Sequence, residues 1–383
     1  MVPTSSTRTA GWGDSAKALS NKLDLYLRTC FKYRCTAGMP PFSGRVLSCL
    51  AVWKASVRLF GGLNSTGIIV LFKRKYLTFL HFNILMIVCA GSIAFDTTNT
   101  PFRRVERALG GSASYFGVSA SFFTKTSLVS AVGEDFPQPE WNALSKHCDL
   151  QAVEKLKGKT FFFESTFDFD MQNRTLNKLD RGVFEKHSWA VPQSLKTPDF
   201  LFLNTHEPAF NQKVFGQVEA KMVFTDVIEY LTKTQKPFLQ KFLKKTGGFI
   251  LNDAEARILT GETNLIKAGK KIRLMGPEIV VVKKGEHGGL LFYDGEVFPF
   301  PAFPLEDVVD PTGAGDAFAG GFVGWLDKQK NINEKTLREA CYYGTVMASF
   351  CVEAFGLDNL FSLNQAKIKV RLQEYERLSG LHP

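Results

Sequence analysis

From residue 84 onward, short apolar runs alternate with stretches whose apolar positions recur at helical spacing. Residues 84–90, 128–132, 200–203, 221–224, 249–251 and 279–282 are rich in β-branched or aromatic side chains and predict strands. Between them, helical spacing predicts helices over 112–123, 207–218, 237–244, 253–260, 265–274, 314–327 and 334–353. Such alternation argues for an α/β fold with a mostly parallel sheet covered on both faces. Right-handed crossovers place the strand C-terminal ends along one edge, where ligands bind. Residues 161–169 have polar interruptions and no adjoining helix, and predict extra strands projecting from the main sheet. Residues 306–309 predict one more strand, entering a glycine turn.

The run from Tyr76 to Phe95 contains no Asp, Glu, Lys or Arg and follows Lys73-Arg74-Lys75. Its length suits a membrane-spanning helix. Its β-branched heart, 84–90, ends in Gly91-Ser92 and suits a buried central strand instead. The α/β pattern that follows favours the strand, so no stable membrane span is expected.

Charge divides the chain in two. The formal net charge is +10 from 47 Lys and Arg against 37 Asp and Glu. Residues 1–80 hold 12 of the basic residues and only Asp14 and Asp24, so the excess lies there and residues 81–383 balance. The expected organisation is a basic N-terminal extension over 1–80, disordered or targeting, and one catalytic domain over 81–383. The basic segment shows neither aromatic stacking platforms nor a clean amphipathic helix, so nucleic-acid binding is not expected. Its Ser/Arg-rich, acid-poor composition fits an organellar transit peptide; otherwise the expected location is cytoplasmic. The seven cysteines include no C-x-x-C pair and read as reduced thiols.

The most informative stretch is Asp310-Pro311-Thr312-Gly313-Ala314-Gly315-Asp316-Ala317-Phe318-Ala319-Gly320-Gly321-Phe322. Gly313 and Gly315 permit a tight backbone whose N–H groups converge at a helix start, an arrangement that binds phosphate. Asp316 sits beside it, where a carboxylate can take a proton from an attacking hydroxyl. Asn252 and Glu255 are three apart at another helix start, the spacing of a capping box and equally of an oxygen pair for Mg²⁺. No Walker A lysine motif is present.

The thirteen-residue string resembles the C-terminal signature of the ribokinase/PfkB family of carbohydrate and nucleoside kinases. Further landmarks follow in family order over about residues 84–370. Ala90-Gly91-Ser92-Ile93-Ala94-Phe95-Asp96 resembles the first strand and turn, and Leu109-Gly110-Gly111-Ser112-Ala113 the di-glycine hinge. Val129–Asp135 resembles the next strand and its turn, Asn252–Glu255 the N-x-x-E motif, and Val282–Gly289 the nucleotide-site turn. The resemblance implies a three-layer αβα ribokinase-like fold with a small β lid, its elements near 96–112 and 158–175. It implies ATP and Mg²⁺, with K⁺ held by Asp310 and the chain around Ser349 and Gly356. Asp96, Gly110 and Gly111 would bind substrate. Thr312, Lys284, Gly285 and Gly288 would serve the nucleotide, and Asn252 and Glu255 the Mg²⁺. Asp316, with Gly313, Ala314 and Gly315, would carry catalysis. Dimerisation through the lid is common in such kinases.

One segment departs from the family pattern. Thr225-Asp226-Val227-Ile228-Glu229 lacks the expected Asn and places Glu229 where a neutral amide would stand, beside the phosphates it would repel. Asp168, Asp170 and Arg174 lie in the lid region and are candidates for reading substrate hydroxyls. The expected activity is ATP-dependent phosphorylation of a hydroxyl on a small sugar. A nucleoside kinase and a catalytically silent binding module are the alternatives.

Overall fold

A computed structural model of the protein describes residues 70–73, 76–79, 86–204 and 208–380. The chain divides into two units, Met1–Asn83 and Ile84–Pro383. In the first, β1 (Val70–Lys73) and β2 (Tyr76–Phe79) pair antiparallel. The rest of the expected extension lies outside the described residues. No described helix is long and apolar enough to cross a membrane.

The second unit is built on a nine-stranded sheet. Seven strands are parallel: β3 (Met86–Ala90), β6 (Lys125–Gly133), β7 (Asp149–Leu156), β10 (Phe200–Leu203), β11 (Met222–Thr225), β12 (Gly248–Asn252) and β13 (Ile279–Lys283). The antiparallel strands β14 (Gly289–Tyr293) and β15 (Glu296–Phe300) close one edge. The sheet order is β15-β14-β13-β12-β11-β10-β3-β6-β7. Helices cover both faces, so Ile87–Ala90 and Ile279–Val282 are fully buried, as continuous apolar runs require. The order reverses at β3: the chain moves outward through β6 and β7, then returns to β3's other side as β10. A crevice forms at such a reversal, outside the strand C-termini. Gly91, Asn204, Asp226, Asn252 and Lys283 all stand at that edge.

A second, four-stranded sheet has the order β5-β4-β8-β9, from β5 (Arg104–Gly110), β4 (Ala94–Asn99), β8 (Phe161–Phe167) and β9 (Arg174–Asp180). The β4–β8 pair is parallel and the other two are antiparallel. Asp96 lies within β4 rather than in a turn, because the chain pairs on both sides of it. Residues 306–309 are not a strand. They have no ladder partner, and the Val309 and Asp310 N–H groups both bond the Val352 carbonyl instead.

The helix Ala314–Gln329 runs beneath the crevice, between Ser112–Ser121 and Glu334–Cys351. Its glycines permit this approach. A Cβ at Gly320 would strike the Phe116 carbonyl and one at Gly324 would press on Ala120. The Ser119 hydroxyl donates to the Ala317 carbonyl at 2.6 Å, tying the two helices. Beside this contact the Phe116 ring stacks on Phe202 with centroids 4.2 Å apart, both side chains fully buried. Phe116→Ala should therefore lower the unfolding free energy by about 3–5 kcal/mol, read from the urea midpoint. A change under about 1 kcal/mol would show that the layer collapses to fill the gap.

Candidate active site

The acceptor end is made by two turns that clamp each other. Gly111 has φ +91, and a Cβ there would strike the Ser92 carbonyl. That carbonyl instead accepts the Ala113 N–H at 3.0 Å, while the Ser112 N–H donates to Ser92 Oγ at 3.2 Å. Gly110 lies directly on the Asp96 carboxylate, where any side chain would displace it. Asp96 is buried, and its carboxyl is pushed up to about 7, first by desolvation and then by Asp310. Arg174 and the Gly111 N–H oppose that shift.

The other end is the start of Ala314–Gln329. Gly313 caps it in the left-handed region, φ +78 and ψ −6. The Tyr115 ring lies 2.5 Å from where a Cβ would be, so glycine is required there twice over. The first-turn N–H groups of Gly315 and Asp316 have no carbonyl four residues back within the helix, and point out with the dipole. Half-buried Asp316 stands among them, its carboxyl pushed up to about 8 by desolvation and then by Asp226. Lys283 and Arg174 pull that value down, and Asp96 adds to the rise. Asp226, Asp316 and Asp96 therefore share one electrostatic environment.

Asn252 and Glu255 form a complete capping box. The Glu255 N–H donates to Asn252 Oδ1 and the Asn252 N–H to Glu255 Oε2, each at 2.8 Å. One oxygen of Glu255 stays outside this exchange. Burial pushes the carboxyl up to about 7, and Glu255 forms no ion pair among the described residues. Lys283 and Arg174 draw the carboxyl back down without pairing with it. The capping-box reading is thus the one the geometry shows, and the remaining Glu255 oxygen is of the type that suits Mg²⁺.

Several expected positions shift. The lysine that reaches the helix start is Lys283, not Lys284: a Cβ at Gly315 would lie 2.5 Å from Lys283 Nζ. The Lys284 N–H closes the turn onto the Gly288 carbonyl at 2.7 Å. Gly288 has φ +75 and backs onto the Phe300 carbonyl, which makes it a packing glycine. Gly285, φ +57, faces Gln172 in the turn between β8 and β9. Glu229 does not crowd the phosphate region. It is exposed and pairs with Lys233 one helical turn on.

Asp310 is buried, raised by desolvation, and accepts the Thr312 N–H at 2.9 Å. Ser349 is already engaged: its hydroxyl donates to the Val346 carbonyl and accepts from Arg371, which is bidentate to Glu353. Gly356 backs onto the Leu109 carbonyl. The Ser349 hydroxyl is thus committed within the fold, while the expectation for K⁺ concerned Asp310 and the backbone around Ser349 and Gly356. Asp168 and Asp170 shape the β8–β9 turn: the Asp168 carbonyl accepts the Met171 N–H and the Asp170 carboxylate the Gln172 N–H. Arg174, exposed on β9 with its guanidinium 5.1 Å from the Phe163 ring centroid, draws down Asp96, Glu255, Asp310 and Asp316 together.

Sequence reasoning passed over Lys283 and Tyr115. The Tyr115 hydroxyl is buried and has no partner among the described residues. The available signal for it was its place in the first turn of the helix that opens after the di-glycine, three residues beyond Ser112. For Lys283 the signal was its place directly after the apolar run 279–282, at the strand end.

Comparison with known proteins gives a consistent picture. The pfkB family carbohydrate kinase profile matches residues 81–363. The cytidine kinase of Thermococcus kodakarensis is 29% identical over 260 residues, covering 66% of this chain and 92% of that protein. The Methanocaldococcus jannaschii nucleoside kinase structure superposes with TM-score 0.62 at 21% identity, over 76% of this chain and 99% of its own. A Vibrio cholerae fructokinase double mutant, solved with fructose, ADP and potassium ion, gives TM-score 0.65 at 18% identity, with 76% and 99% covered. At such identities the two structures establish the ribokinase-type fold.

The raised carboxyls carry a stability consequence. A carboxyl with a higher proton affinity in the fold than in the unfolded chain stabilises fully below about pH 4. That contribution is lost as pH climbs through the folded value, about 8 for Asp316. Asp316→Asn should therefore melt above the wild type at pH 8.5, with the gap closing toward pH 4. Equal melting midpoints at pH 8.5 would show that the carboxylate is not desolvated as described.

Proposed function

Because the chain belongs to the pfkB family of carbohydrate kinases, we propose that it transfers the γ-phosphoryl group of ATP to a hydroxyl of a ribose-bearing substrate, with a nucleoside as the first acceptor to test. The observation that carries this reading is the pairing at one helix start: a proton-hungry Asp316 among free N–H groups, facing the acceptor-side Asp96. The nucleoside preference rests on the relatives, among which the cytidine kinase aligns over nearly its whole length. A free sugar such as fructose is the second acceptor class, favoured by the fructokinase with the same fold.

In this reading Asp96 and the Gly111 N–H hold acceptor hydroxyls, and Gly110 lets the substrate backbone approach them. Asp316 accepts the proton of the attacking hydroxyl. The Gly315 and Asp316 N–H groups receive the charge of the transferring phosphoryl group, fixed in place before the reaction begins. Gly285 and its turn border the nucleotide. A Mg²⁺ ion, which neutralises phosphate charge when bound, would be held by Glu255 and Asn252 through water. Catalysis is assigned to residues 81–383, and the basic segment to delivery within the cell. A truncation beginning at His81 should keep the full-length kcat, and a loss above about tenfold would contradict that division.

ADP release measured over cytidine, inosine, ribose and fructose tests the activity. Asp316→Asn should lose at least about a hundredfold in kcat while the ATP Kd stays nearly constant. In the free wild-type enzyme, kcat/KM should fall as pH drops below about 8, where Asp316 becomes protonated. ATP binding without turnover of any acceptor would identify the chain as a silent binding module. Near wild-type turnover by the Asn variant would remove Asp316 from the chemistry.

A further inference from the structure

Lys283 ends β13 at the crevice edge, half-buried. Its ammonium occupies the space that a side chain at position 315 would take. Two carboxylates, Glu255 and Asp316, are near enough to be drawn down by it. Yet Lys283 forms no ion pair with either, or with any other described residue. A lysine that is half removed from water, beside carboxylates, normally ends in a salt bridge. Here the ammonium stands beside the Gly315 backbone, in the first turn of a helix whose leading N–H groups have no intrahelical acceptor. Two sources of positive potential therefore meet at this turn: the ammonium, and the unpaired N–H groups that carry the positive end of the helix dipole. The Asp316 carboxylate stands in the same first turn, but it forms no ion pair with the ammonium among the described residues.

We infer that Lys283 is a phosphate-contacting residue that clamps the terminal, transferring phosphoryl group against the helix start, and that Gly315 is a glycine because the ammonium needs its space. This inference rests on the kinase reading. Lys283 forms no covalent bond and moves no proton; it supplies charge that a β-phosphate farther from the helix start does not feel to the same degree. Asp226, Asp96 and Arg174 also face Asp316. A general loss of charge balance at the site would therefore disturb every ligand alike, whereas a clamp on the terminal phosphate discriminates between nucleotides.

Calorimetry on the full chain with Mg²⁺ compares β,γ-imido-ATP with ADP. Lys283→Met should weaken the triphosphate analogue by roughly 10- to 100-fold and ADP by no more than about threefold. Lys283→Arg should recover part of the difference. Gly315→Ala keeps the lysine but pushes its ammonium aside, so it should show the same selective loss and stand in if Lys283→Met does not fold. In the double variant the losses should not add, since both remove one contact. Equal weakening of the two nucleotides, or additive losses in the double variant, overturns the clamp. Wild type that binds both nucleotides but phosphorylates none of cytidine, inosine, ribose and fructose fails the kinase reading alone, and the binding comparison still decides the clamp. Wild type that binds neither nucleotide fails both.

Discussion

The contact on which the rest depends is the seating of Ala314–Gln329 against Ser112–Ser121 at a distance that only glycine allows. Gly313 rests on the Tyr115 ring, Gly320 on the Phe116 carbonyl and Gly324 on Ala120. This single packing joins the two halves of the site. The helix that opens at the di-glycine adjoins Asp96, and the helix that opens at Gly313 carries Asp316, the base of the proposed reaction. Separation by even a methyl group would move Asp316 relative to Asp96, and phosphoryl transfer tolerates little such displacement. Glycine 320 and its neighbour at 324 are therefore part of the catalytic geometry although neither faces the crevice.

That proximity has an electrostatic cost. Asp96, Asp226, Glu255, Asp310 and Asp316 converge on a region where, among the described residues, Lys283 and Arg174 are the cations that draw the carboxyls down. Desolvation leads the rise in each of the four for which a shift is resolved. The arrangement is costly as it stands, and under the proposed function a divalent cation bound with phosphates would offset that cost. The two cations reach the site from different sheets. Lys283 comes from the nine-stranded sheet and Arg174 from the four-stranded one.

Much of this was legible in the sequence, for identifiable reasons. The parallel strands are apolar throughout, so β3, β10 and β13 could be read within a residue or two. The string from Asp310 to Phe322 placed the helix start and its Asp. The four-stranded sheet was harder, because β5 and β9 are polar and largely exposed and so lack an alternating signature. Residues 306–309 looked like a strand by composition, but a strand needs a neighbour, and the chain there meets a single carbonyl. Lys283 and Lys284 straddle the end of β13, and only the first reaches the start of Ala314–Gln329, a distinction composition alone does not carry. The capping box at Asn252 could not be separated from a metal site by spacing alone, since the two uses share the same atoms.

The crowded carboxylates also make the protein a proton reservoir. Near neutral pH the folded, empty crevice retains protons that the unfolded chain would release. A ligand that brings positive charge to the crevice must expel some of them into the surrounding buffer. The heat of nucleotide–metal binding will then contain the buffer's own ionisation enthalpy, and apparent affinity will drift with pH even where no ligand group titrates. A divalent cation and the hydrogen ion would thus compete for one small volume, set by how closely two helices pack beneath it.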